Sequence, residues 1–464
     1  MMRNLLKKFS GSEELVRRMI SLYPLSSRLG RHFWKWYAFF EESQNWSLEK
    51  LQAYQFEQLR LLLAKLVETS PAYAERLSGV AIQDIRTMSE FQRSVPSLSR
   101  AEFSSSYSQI LSRKFNRKSC VPSGTSGTTG SALQFFHPIE NQQFEWAAIC
   151  HQWKRVGFDP VKSRRAEFRG LTRPGSLFQR FPEQNMVRLS ILELNQKALP
   201  VMSEEIKRQQ ASFFHGYPSA IYLLAKEVMR SGLAFPQPEA ILLASEMVYD
   251  FQVEQIQTAF PNARMFAHYG CAERTILAAW CEHRRVYHVL PQYSLVEIDA
   301  TTGEIVGTNL YNAENGFVRY RMTDTAAGVE TTACPACHRQ YVPIILGIDG
   351  RQEDFIYSRE RGWIPPAIVT YPLKGLHDIC GIQFQQDDPD EIRLNYFLRP
   401  GVNRGQVDAE LKSIESGLRR LVGGTIRINF QQVDDIPRGP TGKFKWIVSK
   451  LNPQVDGIKS KAQI

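Results

Sequence analysis

Ser123-Gly124-Thr125-Ser126-Gly127-Thr128-Thr129-Gly130 is the stretch on which the fold turns. Its glycines let the backbone approach a ligand or adopt positive φ, and its hydroxyls and amides can surround phosphate oxygens without adding a cation. No Gly-Lys-Ser/Thr follows, so it is not a Walker loop. By composition alone such a stretch is more often a flexible loop than a phosphate cradle. Beyond it, helical patterns at about 139–157 and 203–231 alternate with short β-like runs such as Ala240-Ile241-Leu242-Leu243-Ala244, an alternation that predicts an α/β architecture. After Arg351 the texture changes: Glu391 to Tyr396 reads as a strand, 406–422 as a helix and Thr425 to Phe430 as a strand, which predicts a small α+β domain.

The 464 residues suffice for two to four domains by the rule of about 150 residues each. Hydrophobic residues at 43% and charged residues at 22% set aside disordered, collagenous and coiled-coil classes. Seven cysteines are too few and too odd in number for a disulfide scaffold, and no apolar signal peptide opens the chain, so a reducing cytoplasm is expected. The most apolar run, Phe33 to Phe40, is interrupted by Lys35, too short for a membrane span. The net charge of +10 suits nucleic acid, an anionic surface or a phosphate-bearing ligand. No zinc finger, RNP-type strand or basic run of five supports nucleic acid, which is set aside.

The first 45 residues hold Arg3, Lys7, Lys8, Arg17, Arg18, Arg28, Arg31 and Lys35 among Leu, Met, Phe and Trp. Ordinary N-terminal helices with a solvated basic face account for this, with peripheral membrane contact as the alternative. Ser47 reads as an N-cap, followed by Phe56, Leu59, Leu63 and Leu66 on one helical face, and Pro71 ends the pattern.

Four further motifs follow the glycine-rich loop: Tyr269-Gly270-Cys271-Ala272-Glu273, Tyr320-Arg321-Met322-Thr323-Asp324, Gly350-Arg351-Gln352-Glu353-Asp354 and Pro437-Arg438-Gly439-Pro440-Thr441-Gly442-Lys443. In that order and spacing they resemble the adenylate-forming superfamily of acyl-CoA synthetases, adenylation domains and luciferases, over about 120–445. Pro71-Ala72-Tyr73 and Gly216-Tyr217-Pro218-Ser219 are similar to its phenylacetate-CoA ligase and capsular polysaccharide biosynthesis branch. The resemblance implies that Ser123, Thr125, Ser126, Gly127, Thr128, Thr129 and Gly130 cradle ATP phosphates. It implies that Tyr269 and Gly270 flank the adenine, Glu273 helps hold Mg2+, Asp324 and Arg351 bind the ribose, and Lys443 is the catalytic lysine. Ser245 and Glu246 fall where relatives line the nucleotide or acyl pocket; a helix N-terminus is the alternative. His268, next to Tyr269, reads as facing the acyl pocket or adenylate, or as a hydrogen-bonded core histidine. Departures are Ser131-Ala132-Leu133 where a lysine is usual, Glu353 at the hinge and Thr323 before Asp324.

Cys281-Glu282-His283-Arg284-Arg285-Val286-Tyr287-His288 and the later Cys334-Pro335-Ala336-Cys337-His338 form a second constellation. Cys-x-x-Cys is zinc-knuckle spacing, and in a reducing compartment metal is preferred to a disulfide. The resemblance implies a structural Zn2+ on Cys281, His288, Cys334 and Cys337, with His283 or His338 as substitutes. Cys120, Cys150 and Cys380 read as buried apolar residues.

The expectation is an α/β adenylate-forming enzyme with a helical N-terminal segment (1–100), a large ATP- and acyl-binding domain (101–352) and a mobile α+β C-terminal lid (353–464). It would adenylate a carboxylic acid and transfer the acyl group to coenzyme A. The alternatives are a carrier protein or the amine of a sugar as acceptor, and an inactive scaffold relative.

Overall fold

A computed structural model describes residues 13–124, 133–170, 176–349, 355–364, 366–373, 379–398, 402, 404–434, 436 and 446–451. The expectations placed on residues 125–130, Arg351, Glu353 and Lys443 lie outside the described residues, as do those on Arg3, Lys7 and Lys8.

Apolar strands bounded by helices fold as the alternation predicts. A ten-stranded sheet forms the centre. Its middle is five parallel strands in spatial order Arg264–Gly270, Ala240–Ala244, Phe213–Gly216, Arg165–Arg169 and Met186–Ser190. Ala240–Ala244 is buried at every residue, as a strand covered on both faces must be. Neighbouring residues show the two covers: His215 meets Trp153 of the helix Ile139–Trp153, whereas Phe214 meets Phe260, which follows the helix Asp250–Ala259.

The 203–231 region is not one helix. It divides into Ala198–Gln209, the strand Phe213–Gly216 and Pro218–Ser231. Gln210 takes φ 52° and stops the first helix, and Phe213 and Phe214 then find strand partners on both sides. The periodicity had run through the intervening strand because its apolar residues continue the buried stripe. The helix expected over 139–157 ends at Trp153 and tightens into a 3-10 turn, Lys154–Val156, before Gly157 at φ +90°.

A second sheet, Ser294–Ile298, Glu304–Asn309, Tyr320–Ala326 and Ile348–Asp349, packs with the N-terminal helices around Leu59, Leu63, Leu66, Phe103 and Phe317. Ser47 caps the helix Leu48–Thr69 by accepting from the Lys50 amide, and Ser70 caps the next helix at Pro71. The helix Leu25–Ser43, interrupted at Gly30 (φ +83°), buries Phe33 and Phe40 beside Phe144 and Ala147. Met19, Leu22 and Tyr23, by contrast, are exposed. Among the described residues no helix is long and apolar enough to cross a membrane.

The C-terminal residues form a four-stranded sheet in the order Arg427–Gln432, Glu391–Leu398, Ile379–Asp388 and Ile447–Ser449, with the helix Arg404–Val422. This is the α+β unit expected from its sequence texture.

Candidate active site

The parallel strands end at one edge, and there Gly170, Tyr217, Ser245, Tyr269 and Gly270 line a cavity of about 1050 Å³. Ligands of open α/β sheets bind at the carboxyl ends of the strands, because the chain turns away there and leaves a crevice. Gly124 reaches the same cavity from the hairpin Cys120–Gly124/Gln134–Pro138, where it faces Gln134. A Cβ on Gly124 would lie 2.8 Å from the Leu133 carbonyl, so this last paired position before the loop requires glycine. Ser123 pairs with Phe135 one step back and is not among the cavity-lining residues.

Ser245, Glu246, His268, Tyr269, Gly270, Glu273 and Asp324, scattered over eighty positions of sequence, are brought to this one cavity. The Tyr269 hydroxyl donates to Asp324 Oδ2 at 2.6 Å, joining two motifs across the cavity. Burial first, then the Asp324 charge, pushes the Tyr269 hydroxyl far above its ordinary range, so it stays a donor. Glu273 is buried, and burial raises its carboxyl above the ordinary range; Arg100 and a Tyr320 hydrogen bond oppose this while Asp324 adds to it. Glu273 and Asp324 both line the cavity, and carboxylate oxygens are the ligands Mg2+ takes. Ser245 (φ 70°) and Thr323 (φ 66°) are non-glycine residues in the left-handed region, both on the cavity wall.

Ser245 and Glu246 do not begin a helix, which starts only at Asp250. Glu246 Oε2 instead accepts from the Ser219 amide at 3.2 Å, tying the segment after Ala240–Ala244 to the first turn of the helix Pro218–Ser231. His268 lines the cavity with its ring 6.0 Å from Trp153, and burial lowers its pKa to about 3, so it is neutral near pH 7. His137 has an interior role: its ring nitrogens meet the Ala272 carbonyl at 2.8 Å and Asn312 at 3.0 Å.

Sequence reasoning passed over several wall residues. Glu145 accepts from Arg274 at 2.7 Å, and Arg169 and Arg188 line the far side. The pattern Arg165-Ala166-Glu167-Phe168-Arg169, charge at every second position of a strand, was the available signal.

Away from the cavity, the ligand atoms of Cys281, His288, Cys334 and Cys337 lie within 4.8 Å of one another. Cys337 Sγ is 3.5 Å from His288 Nε2. Metal–sulfur bonds of about 2.3 Å and metal–nitrogen bonds of about 2.0 Å span such separations tetrahedrally, so this donor set fits zinc. His283 and His338 are outside the group. His338, at φ 59°, donates its amide to the Cys334 carbonyl at 2.9 Å and closes the knuckle turn. Burial would raise the Cys334 thiol, but the backbone amides of Cys337 and Ala336 hold it low. Burial and the neighbouring thiols push Cys281 up to about 12. Cys120 and Cys150 are buried as expected.

The fold is that of AMP-forming acyl-CoA ligases. A crystal structure of 2-hydroxyisobutyryl-CoA ligase with 2-HIB-AMP and CoA in the thioesterification state matches with a TM-score of 0.56 at 16% identity, over 88% of this chain and 91% of that one. The same ligase in the postadenylation state with R3-HIB-AMP gives 0.50 at 14%, over 86% and 89%. Residues 356–450 match the CapK C-terminal domain. No curated protein matches the chain in sequence.

Proposed function

We propose that the protein adenylates a carboxylic acid with ATP, releasing pyrophosphate, and transfers the acyl group to a thiol such as coenzyme A, in capsule or exopolysaccharide synthesis or aryl-acid metabolism. The observation that carries the reading is the convergence of Tyr269, Glu273 and Asp324 on a cavity at the strand ends, with the hairpin of the Ser/Gly/Thr loop opening onto it. The CapK C-terminal match over 356–450 supports the capsule setting.

A carboxylate is a poor electrophile, and attack of its oxygen on the α-phosphorus of ATP makes a mixed anhydride that an acceptor can open. No general base is needed for this half, only alignment and charge stabilisation. Tyr269 gives its face to the adenine and its hydroxyl to Asp324, which is thereby oriented for the ribose hydroxyls. Glu273 would hold magnesium, which supplies positive charge to the phosphates. Neutral His268 offers a dipole beside the acyl carboxylate without competing for its charge. Lys443 would reach the phosphates during adenylation and withdraw for transfer by movement of the 353–464 lid. The Cys281/His288/Cys334/Cys337 group is closed, with four protein ligands, and would hold zinc as a structural staple.

Acid-dependent pyrophosphate exchange across an acid panel tests the first half, and coenzyme A, carrier protein and amino sugars tested as acceptors resolve the second. Lys443→Ala should lower exchange by about 10²- to 10³-fold, the loss of one preorganised electrostatic donor, yet still consume chemically made acyl adenylate with acceptor. Absence of exchange with every acid would favour the inactive-scaffold reading. Equal loss of both halves in Lys443→Ala would remove its assignment to adenylation.

A further inference from the structure

The far wall of the cavity is cationic. Arg165, Glu167 and Arg169 alternate along one strand and share a face. Arg188 and His215 stand directly abreast of Glu167 on the two flanking strands. Arg188 Nε donates to Glu167 Oε2 at 2.5 Å, and Arg169 Nη1 reaches Glu167 Oε1 at 3.4 Å, so one carboxylate serves two guanidinium groups. Arg169 Nη2 donates to the Tyr217 hydroxyl at 2.8 Å. The terminal nitrogens of Arg188 have no acceptor among the described residues. Behind them Arg165 is buried among the rings of Trp146, Trp153 and Phe158, with no carboxylate in ion-pair contact among the described residues.

Two guanidinium groups with fork-like donors facing a cavity, against one shared carboxylate, leave positive charge uncompensated in a half-desolvated place. A pocket for a purely apolar acyl chain would gain nothing from such a wall and would have to desolvate it on every binding event. The placement also sets a length. The Arg165–Arg169 strand lies three strands from Arg264–Gly270, which ends at the adenine-flanking Tyr269 and Gly270, or about 14 Å at about 4.8 Å per strand.

We propose that Arg169 and Arg188 form an anion subsite in the acyl pocket, and that the acid substrate carries a second anionic group remote from the carboxylate that is activated. The inference rests on the adenylation reading and deepens it by naming the substrate class. Burial alone would raise the Glu167 carboxyl, but His215 and the two arginines outweigh it and hold it low, so Glu167 remains the anion that positions both guanidinium groups when substrate is absent.

The test compares linear dicarboxylates from succinate to suberate with their monomethyl esters, which keep length and remove one charge. Exchange is measured without any acceptor, so that an anionic group of coenzyme A cannot account for the result. In the wild-type protein at least one diacid should exceed its ester by about 10-fold or more in kcat/KM, the worth of a charge-assisted hydrogen-bond pair. Arg188→Gln and, separately, Arg169→Gln should collapse that ratio toward unity, with folding checked by circular dichroism; two single variants guard against one failing to fold. Calorimetric titration of the same diacids, with and without ATP, supplies a readout independent of turnover. Esters equalling diacids at every length would overturn the anion subsite and leave adenylation standing. Diacid binding that is lost in Arg188→Gln, with no exchange by any acid, would overturn adenylation and leave the subsite standing. Neither exchange nor diacid binding would overturn both.

Discussion

Two groups of ionisable side chains in this protein are built on opposite plans. At Cys281, His288, Cys334 and Cys337 the ligand atoms converge within 4.8 Å, in a corner with its own apolar packing around Val286 and Ile344. At Glu273, Asp324 and Tyr269 the groups stand around a cavity of about 1050 Å³, and the Asp324 charge adds to burial in raising the Glu273 carboxyl. A closed set satisfies itself once an ion is present and contributes to folding; an open set faces a space that a ligand can fill and is placed to contribute to chemistry. The prediction is a clean division: damage to the first costs stability, and damage to the second costs turnover.

The largest effect should come from breaking the closed set. Cys334→Ala removes a thiol whose ionisation the Ala336 and Cys337 amides already favour. Bound zinc should fall from about one per chain to a small fraction, and unfolding free energy should drop by upward of about 4 kcal/mol, the class of loss seen when a structural metal goes. Elemental analysis and denaturant unfolding check both. Zinc-free wild-type protein of undiminished stability would sink the closed-set reading.

Acid should erode stability through two neutral histidines, one buried and one half-buried on the cavity wall. His137 and His268 are both lowered to about 3 by burial, from an unfolded value near 6.5. Between those limits the unfolded chain binds protons that the folded chain refuses, so stability falls as pH drops below about 6.5, by up to about 1.4 kcal/mol per pH unit for each histidine. Urea midpoints at pH 7.5, 6.5 and 5.5 measure the slope, and His268→Gln should flatten it by one proton's worth. An unchanged slope would place His268 in contact with water.

At the open set, Asp324→Asn keeps the shape and removes the charge that receives the Tyr269 hydroxyl at 2.6 Å. A hydrogen bond to a charged group is worth about 1.5–3 kcal/mol, so the KM for ATP should rise by about 10- to 100-fold. Thermal stability should hold or increase, since the like charge that helps raise Glu273 is gone. A large loss of stability instead would make Asp324 a structural ion and blur the division.

How much of this was legible in the sequence follows the same division. The Cys334/Cys337 pair was legible by its knuckle spacing, but the choice of His288 over His283 and His338 came only from the resemblance, and the convergence of the four side chains belongs to the fold. The strand Ala240–Ala244 and the C-terminal strand and helix were legible because unbroken apolar runs and period-3.6 stripes have one physical reading each. The strand Phe213–Gly216 was not, since its four residues sit between two amphipathic helices and only pairing with Arg165–Arg169 and Ala240–Ala244 makes it a strand. The Arg169/Arg188 wall was hidden for a related reason: its members come from different strands and meet only through register. Tyr269 and Asp324 were found by their motifs, but the hydrogen bond between them belongs to the fold.

The smallest effect, and the finest test of the division, is at Ser245. Its φ of 70° is a conformation that glycine adopts freely and other residues adopt at a cost of about 1–2 kcal/mol. Ser245→Gly relieves that cost but gives the unfolded chain more freedom, which takes back about 0.4–1 kcal/mol, so the net should be a gain of about 0.5 kcal/mol. Strain retained at the end of Ala240–Ala244 fixes the direction in which the chain leaves the strand, and so places Glu246 where its carboxylate accepts from Ser219 at 3.2 Å. Loosening that turn should raise the KM for ATP a few-fold while stability edges upward, the opposite sign from Cys334→Ala. Denaturant unfolding and exchange kinetics on one preparation read both quantities. If Ser245→Gly instead loses about 1 kcal/mol with unchanged KM, the serine hydroxyl is a packing group, and strain plays no part in shaping the open set.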